Sequence, residues 1–184
     1  MAQKKTLTPE DWLRVGFEAL IEEGPGGLRA EALARELKTT KGSFYWHFDD
    51  VPSYQSAMLR SWEENAINDV VERMSSEPTT VGRLRKLAQI AATTDDPAKG
   101  GIGAEPAIRA WARSDKRVAE TVAKVDHQRI DYLAWLLQDL GITNPDVARF
   151  VYAASIGMED LSSRDGKSNA DALGSLIDLV LALR

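Results

Sequence analysis

The chain has 184 residues, about 43 % of them apolar, a net charge of −5 and no cysteine. That length and apolar fraction suit one ordinary domain or two small ones with a real core, which argues against global disorder. The absent cysteines exclude a disulfide framework, a thiolate metal site and a cysteine nucleophile, and the net acidity argues against whole-surface binding of nucleic acid.

The start, MAQKKTLTPED, is basic but leads into no apolar run, so no secretory signal is read there. No window approaches the roughly 18 consecutive apolar residues of a membrane span, and a cytoplasmic, membrane-independent protein is expected. The first helix is predicted from Thr8-Pro9 with Asp11, which supply a hydroxyl cap, a proline in the first turn and a carboxylate near the helix dipole. Leu13, Gly16, Phe17, Leu20 and Ile21 recur at helical spacing until Gly24-Pro25-Gly26-Gly27.

A second helix is predicted over about Arg29–Leu37, burying Leu33, Ala34 and Leu37, and a third over about Thr40–His47 with Thr40 as its cap. Two short helices across a tight polar turn, the second rich in aromatics, have the layout of a helix-turn-helix. On a wheel, Phe44 and Phe48 define the core side of the third helix, toward Leu33 and Leu37. Gly42, Ser43 and Trp46 point away, with Tyr45 and His47 on the flanks. The centre would then face bases and the flanks phosphates. Gly42 permits close approach to a groove, and Trp46 suits thymine methyls. Lys41 falls near the core side, but in the first turn it can reach guanine O6 or N7. From Arg35 to Phe48, three cations stand against one carboxylate, so the segment is locally basic.

The fourth helix is predicted to begin after Asp49-Asp50, with Pro52 in its first turn, and to run to about Met74, long enough to connect two subdomains; the fifth is predicted over about Thr79–Thr93. Thr93–Gly103 reads as the clearest loop. Helices follow at about Glu105–Arg113, Lys116–Leu140, Pro145–Ser163 and Asn169 to the end. The fold class is all-α: a helix-turn-helix domain at about 5–64 (the motif at 28–47), then a larger helical domain at 65–184.

Thr8–Leu59, and above all TTKGSFYWHF, resembles the N-terminal domain of the TetR family of transcriptional regulators. The resemblance implies base-proximal roles for Thr40, Lys41, Gly42, Ser43 and Trp46, phosphate roles for Tyr45 and His47, and a place for Arg29 near the backbone. It also implies a homodimer on a palindromic operator in double-stranded DNA, most simply a repressor released by a small-molecule effector. Two departures stand out. Lys38 occupies a turn position where members typically have glycine, implying left-handed strain of about 1 kcal/mol. Val51 stands where many members have lysine, implying modest affinity with a gentle salt dependence.

Met58 and Trp62, with Ile108, Trp111, Tyr132, Trp135 and Phe150 of the C-terminal part, are candidates to line an effector pocket, with Arg109 and His127 as polar anchors. His127 reaches Asp131 at helical spacing. Val147, Val151, Ala154, Met158 and Leu161 on one helix, and Leu173, Leu176, Ile177 and Val180 on the next, form apolar stripes expected to pair with a second copy. Those stripes also suit burial in their own core. With two histidines, no glycine-rich phosphate loop and no metal-ligand spacing, no enzyme, cofactor or metal is expected. The alternative is an all-helical adaptor that binds protein partners.

Overall fold

The computed structural model describes residues 7–92 and 102–184, with backbone only at 69 and 102. Among them are nine α-helices and no strand, so the fold is all-α. In chain order they are α1 (Pro9–Glu23), α2 (Ala30–Glu36), α3 (Lys41–Tyr45), α4 (Val51–Met74), α5 (Thr80–Ala92), α6 (Glu105–Ala112), α7 (Lys116–Asp139), α8 (Pro145–Asp165) and α9 (Ala170–Leu181). Short 3-10 turns occupy Gly24–Gly27 and Ile102–Ala104. Most of the expected Thr93–Gly103 loop, and the basic residues before Leu7, lie outside the described residues.

The helix ends have identifiable chemistry. Thr8 and Asp11 form a capping box: the Asp11 N–H donates to Thr8 Oγ1, and the Thr8 N–H donates to Asp11 Oδ2 at 3.0 Å. Gly24, at φ +69°, closes α1 by donating to the Leu20 carbonyl. The Ser53 N–H donates to Asp50 Oδ1 at 2.7 Å and so caps the start of α4. Asn144 caps α8, and Gly166, in the left-handed region, ends it.

The described residues divide into two compact units, one of 7–65 with 102–121, the other of 66–92 with 122–184. The division falls inside α4 and α7, each 24 residues long. Within the first unit, α6 packs on α1 and on the Gly24–Gly27 turn.

In the first unit, α1 packs on α2 and α2 on α3. Its core includes Trp12, Phe17, Leu20, Leu33, Phe44 and Tyr54. Trp12 and Val15 thus join the buried face of α1, while Ile21, expected on the apolar stripe, is exposed. In the second unit, α5 packs on α8 and α9 over Leu84, Leu133, Leu137, Ile142, Ala148, Val151, Ile177 and Val180. Polar ties reinforce it: Thr80 donates to Asp139 at 2.5 Å, Tyr152 donates to Asp126 at 2.8 Å, and Arg85 pairs with Asp178 at 2.8 Å.

Candidate nucleic-acid interface

The turn between α2 and α3 is a Schellman motif built around Lys38. The Thr39 N–H donates to the Ala34 carbonyl at 2.8 Å, and the Lys38 N–H to the Arg35 carbonyl at 3.0 Å. That geometry needs a left-handed residue after the helix cap, and Lys38 supplies it at φ +51°. Lys38 is the only non-glycine residue with positive φ among the described residues, so the strain expected from the sequence has a defined location. The turn then delivers Thr40 in extended conformation at the N-cap of α3, where its side chain makes no capping hydrogen bond.

Helix α3 is shorter than expected, but its chain continues in a tight turn in which the Phe48 N–H donates to the Phe44 carbonyl at 3.0 Å. One side of it is anchored by aromatic rings. Phe44 is fully buried and meets Trp12, Tyr54 and Phe48 at 5.2–5.4 Å between ring centroids. Phe48 and Tyr54 close the cluster at 4.9 Å. Edge-on ring contacts of this kind add to ordinary burial and hold α3 to α1 and α4. Sequence spacing assigned Phe44 to the core but not its aromatic partners Trp12 and Tyr54, which reach it from other helices.

The opposite side of α3 is left to solvent. Trp46 is 88 % exposed, Thr40, Lys41, Gly42 and Tyr45 are exposed, and Ser43 and His47 are half-buried. A β-carbon at Gly42 would meet only Thr40 Oγ1, at 3.7 Å, so folding does not demand glycine there. Lys41 is exposed, correcting its wheel position near the core, and it pairs with Glu31 of α2. Its ammonium lies 5.8 Å from the Tyr45 ring centroid. Arg29, exposed at the N-cap of α2, lies 3.7 Å from Glu23.

The expected pocket residues are divided between the two units. Met58, Trp62, Ile108 and Trp111 are buried in the first unit, where the Trp62 indole N–H has no hydrogen-bond partner. Arg109 is committed to Glu105, a buried carboxylate, at 2.6 Å. His127, Tyr132, Trp135 and Phe150 belong to the second unit. There His127 is exposed and sits 3.3 Å from Asp131, while Trp135 is 51 % exposed and stacks on half-buried Tyr132. Phe150 is 60 % exposed. His127, Trp135 and Phe150 therefore stand on the surface of the chain and do not line its interior.

The expected interface residues differ in their burial within the chain. Val151, Leu173, Ile177 and Val180 are buried within the chain, and Val147 and Leu176 pack against the same core. Ala154 and Met158 are half-buried, and Leu161 is exposed. An amphipathic stripe marks burial without saying against what, and here α9 uses most of its stripe on α5. What remains outside is Phe150, Ala153, Gly157 and Leu161 on α8, and Leu179 and Leu183 at the end of the chain.

Among the described residues no group of three or more histidine or acidic side chains is placed to hold a metal ion, and no helix is long and apolar enough to cross a membrane.

Residues 13–50 match the family model described as bacterial regulatory proteins, tetR family. No curated protein sequence matches the chain. Three solved structures share its fold over nearly its whole length. A putative TetR-family transcriptional regulator from Rhodococcus sp. is 19 % identical with a TM-score of 0.78, covering 94 % of this chain and 98 % of its own. A transcriptional regulator from Rhodococcus sp. RHA1 is 16 % identical with a TM-score of 0.74, covering 96 % and 95 %. A protein solved in a study of how bacterial hormones control antibiotic production is 20 % identical with a TM-score of 0.66, covering 95 % of each chain. Residues 13–50 thus match the DNA-binding domain of tetR-family regulators, and the described chain has the all-helical fold of these solved structures.

Proposed function

We propose that the protein is a homodimeric repressor that reads a palindromic operator and leaves it when a small molecule binds. The observation that carries the DNA-reading part is Trp46. A tryptophan 88 % exposed, on a helix whose other side is locked by an aromatic cluster, has no role in folding. In a major groove its ring would lie against base edges and thymine methyls. Thr40, Lys41, Gly42 and Ser43 would share that groove, while Tyr45, His47 and Arg29 would reach phosphates. Two such helices related by a two-fold axis would sit in successive major grooves, roughly 34 Å apart.

Dimerisation is supported by the apolar residues that α8 and α9 leave in solvent, since a two-fold contact between such helices is the common way to cover them. Effector release is supported by the TetR-type fold, and the buried Trp62 indole N–H offers a donor to an acceptor-bearing effector. The effector would have to favour one separation of the two heads over another, because equal affinity for both would shift nothing.

The test is selection of bound duplexes from a randomised library with the wild-type chain and Tyr45→Ala in parallel. Enrichment of a palindrome by wild type alone is the expected result. Failure of wild type to enrich any sequence at low salt would favour the adaptor reading and direct attention to protein partners.

A further inference from the structure

Lys41, the first residue of α3, and Glu31, in the first turn of α2, form an ion pair on the exposed face of the motif. Both side chains remain about half exposed, so the pair lies where DNA would approach. The hydrogen bond from Lys41, then one from the Glu31 backbone, holds the Glu31 carboxylate below the usual carboxylate range, with the Arg29 charge a smaller contribution. Arg29 itself is answered by Glu23. Each of the two cations assigned to DNA therefore already has a carboxylate of its own chain beside it.

We propose that Glu31 is a specificity-determining positioning residue: it withholds Lys41 from phosphates and aims it at a base edge. This rests on the DNA-reading function proposed above. An ammonium has three donors, and one taken by Glu31 leaves the others for guanine O6 and N7, which are uncharged acceptors. A phosphate is different. It must displace the carboxylate or tolerate a like charge beside it, and it gains little from a lysine that is already neutralised. Glu31 thus weakens the sequence-independent part of binding more than the sequence-reading part. The Glu31 side chain touches neither base nor phosphate in this scheme and acts only through Lys41.

The experiment is equilibrium binding of the full chain to its selected duplex and to a scrambled duplex of equal length, across a salt series. Wild type, Glu31→Gln, Lys41→Met and the double variant are compared. Glu31→Gln is expected to bind the scrambled duplex on the order of tenfold more tightly, with a log–log salt slope steeper by up to about 0.9, the value of one added phosphate contact. The ratio of selected to scrambled affinity falls accordingly. In the Lys41→Met background the Glu31→Gln change has no such effect, which a merely structural role for Glu31 would not produce. Unchanged scrambled-duplex affinity and slope in Glu31→Gln, or an effect that persists without Lys41, overturns the assignment. A wild-type chain that does not discriminate between the duplexes overturns the DNA-reading function itself, a separate outcome.

Discussion

The Tyr54 hydroxyl, buried on α4, donates to the Trp12 carbonyl on α1 at 2.8 Å, and it reaches that oxygen only because residue 16 is glycine. A β-carbon at Gly16 would lie 1.8 Å from the Tyr54 oxygen. Burial raises the tyrosine pKa far above its ordinary value, so it donates at every pH the protein meets. Gly16→Ala should lower stability by about 1–2 kcal/mol, the overpacking cost outweighing the gain in helix propensity. Tyr54→Phe should cost about 1 kcal/mol for the lost hydrogen bond. Because the clash is with the hydroxyl, Gly16→Ala should cost less in the Tyr54→Phe background. Denaturant unfolding of all four proteins checks this; strictly additive effects would refute the relationship.

Lys38 offers the opposite case, a substitution that should help. Its left-handed conformation at the position after the α2 cap is one that glycine adopts without strain. Lys38→Gly should therefore stabilise the protein by about 0.5–1 kcal/mol, after allowing for glycine's extra freedom in the unfolded chain. Thermal unfolding reads the change as a higher Tm, and a lower one would mean the lysine side chain contributes something its backbone strain conceals.

Much of the fold was legible in the sequence because helix ends are chemical events. Thr8-Pro9 with Asp11, Gly24 and Pro145 each marked a boundary that the structure keeps to within about two residues. The outward face of α3 was legible for the same reason, since spacing alone separates Phe44 from Trp46. What spacing does not carry is the identity of a distant partner. Trp12 and Tyr54 complete the ring cluster around Phe44 from other helices, Glu31 reaches Lys41 from α2, and α6 joins the N-terminal unit across more than thirty residues of sequence. Ile177 and Val180 pack in this chain's own core, and spacing does not distinguish that from a stripe against another copy, because the two have the same period.

Asp50 links the fold to pH. The hydroxyl and backbone N–H of Ser53 donate to its carboxylate at the start of α4 and hold its pKa below the ordinary 3.8. A depressed carboxylate contributes stability that is complete above the unfolded-state value and is lost as pH falls through the folded one. The loss should begin near pH 4 and continue below it. Asp50→Asn caps without titrating, so it should flatten this part of the acid limb, while Asp50→Ala should weaken the protein at neutral pH as well. Unfolding curves between pH 6 and pH 3 distinguish the two.

At the DNA face, stability and function should move in opposite directions. Gly42 is exposed, and a β-carbon there meets nothing closer than 3.7 Å, so Gly42→Ala should stabilise α3 by up to about 1 kcal/mol. If the glycine exists to let the helix approach a groove, the same change should weaken operator binding at least tenfold. Trp46→Ala should leave the Tm within error, because the ring is in solvent, yet reduce discrimination between operator and scrambled DNA. Gly42→Ala that binds DNA as well as wild type would remove the close-approach argument.

The apolar residues left on α8 and α9 give the last prediction. Phe150 is 60 % and Leu179 70 % exposed, whereas Ile177, two residues before Leu179, is buried in the core. If a second copy covers the exposed set, Phe150→Glu and Leu179→Glu should each dissociate the dimer while the chain keeps its helicity. Each places a carboxylate where the partner would have to desolvate it. Ile177→Ala should behave differently, costing about 2–5 kcal/mol of stability through a core cavity, with dissociation only as a consequence of unfolding. Sedimentation and circular dichroism on the three variants separate these effects. Loss of operator affinity should follow loss of the dimer, because one recognition helix alone contacts a single half-site. A Phe150→Glu chain that still sediments as a dimer would place the two-fold contact elsewhere.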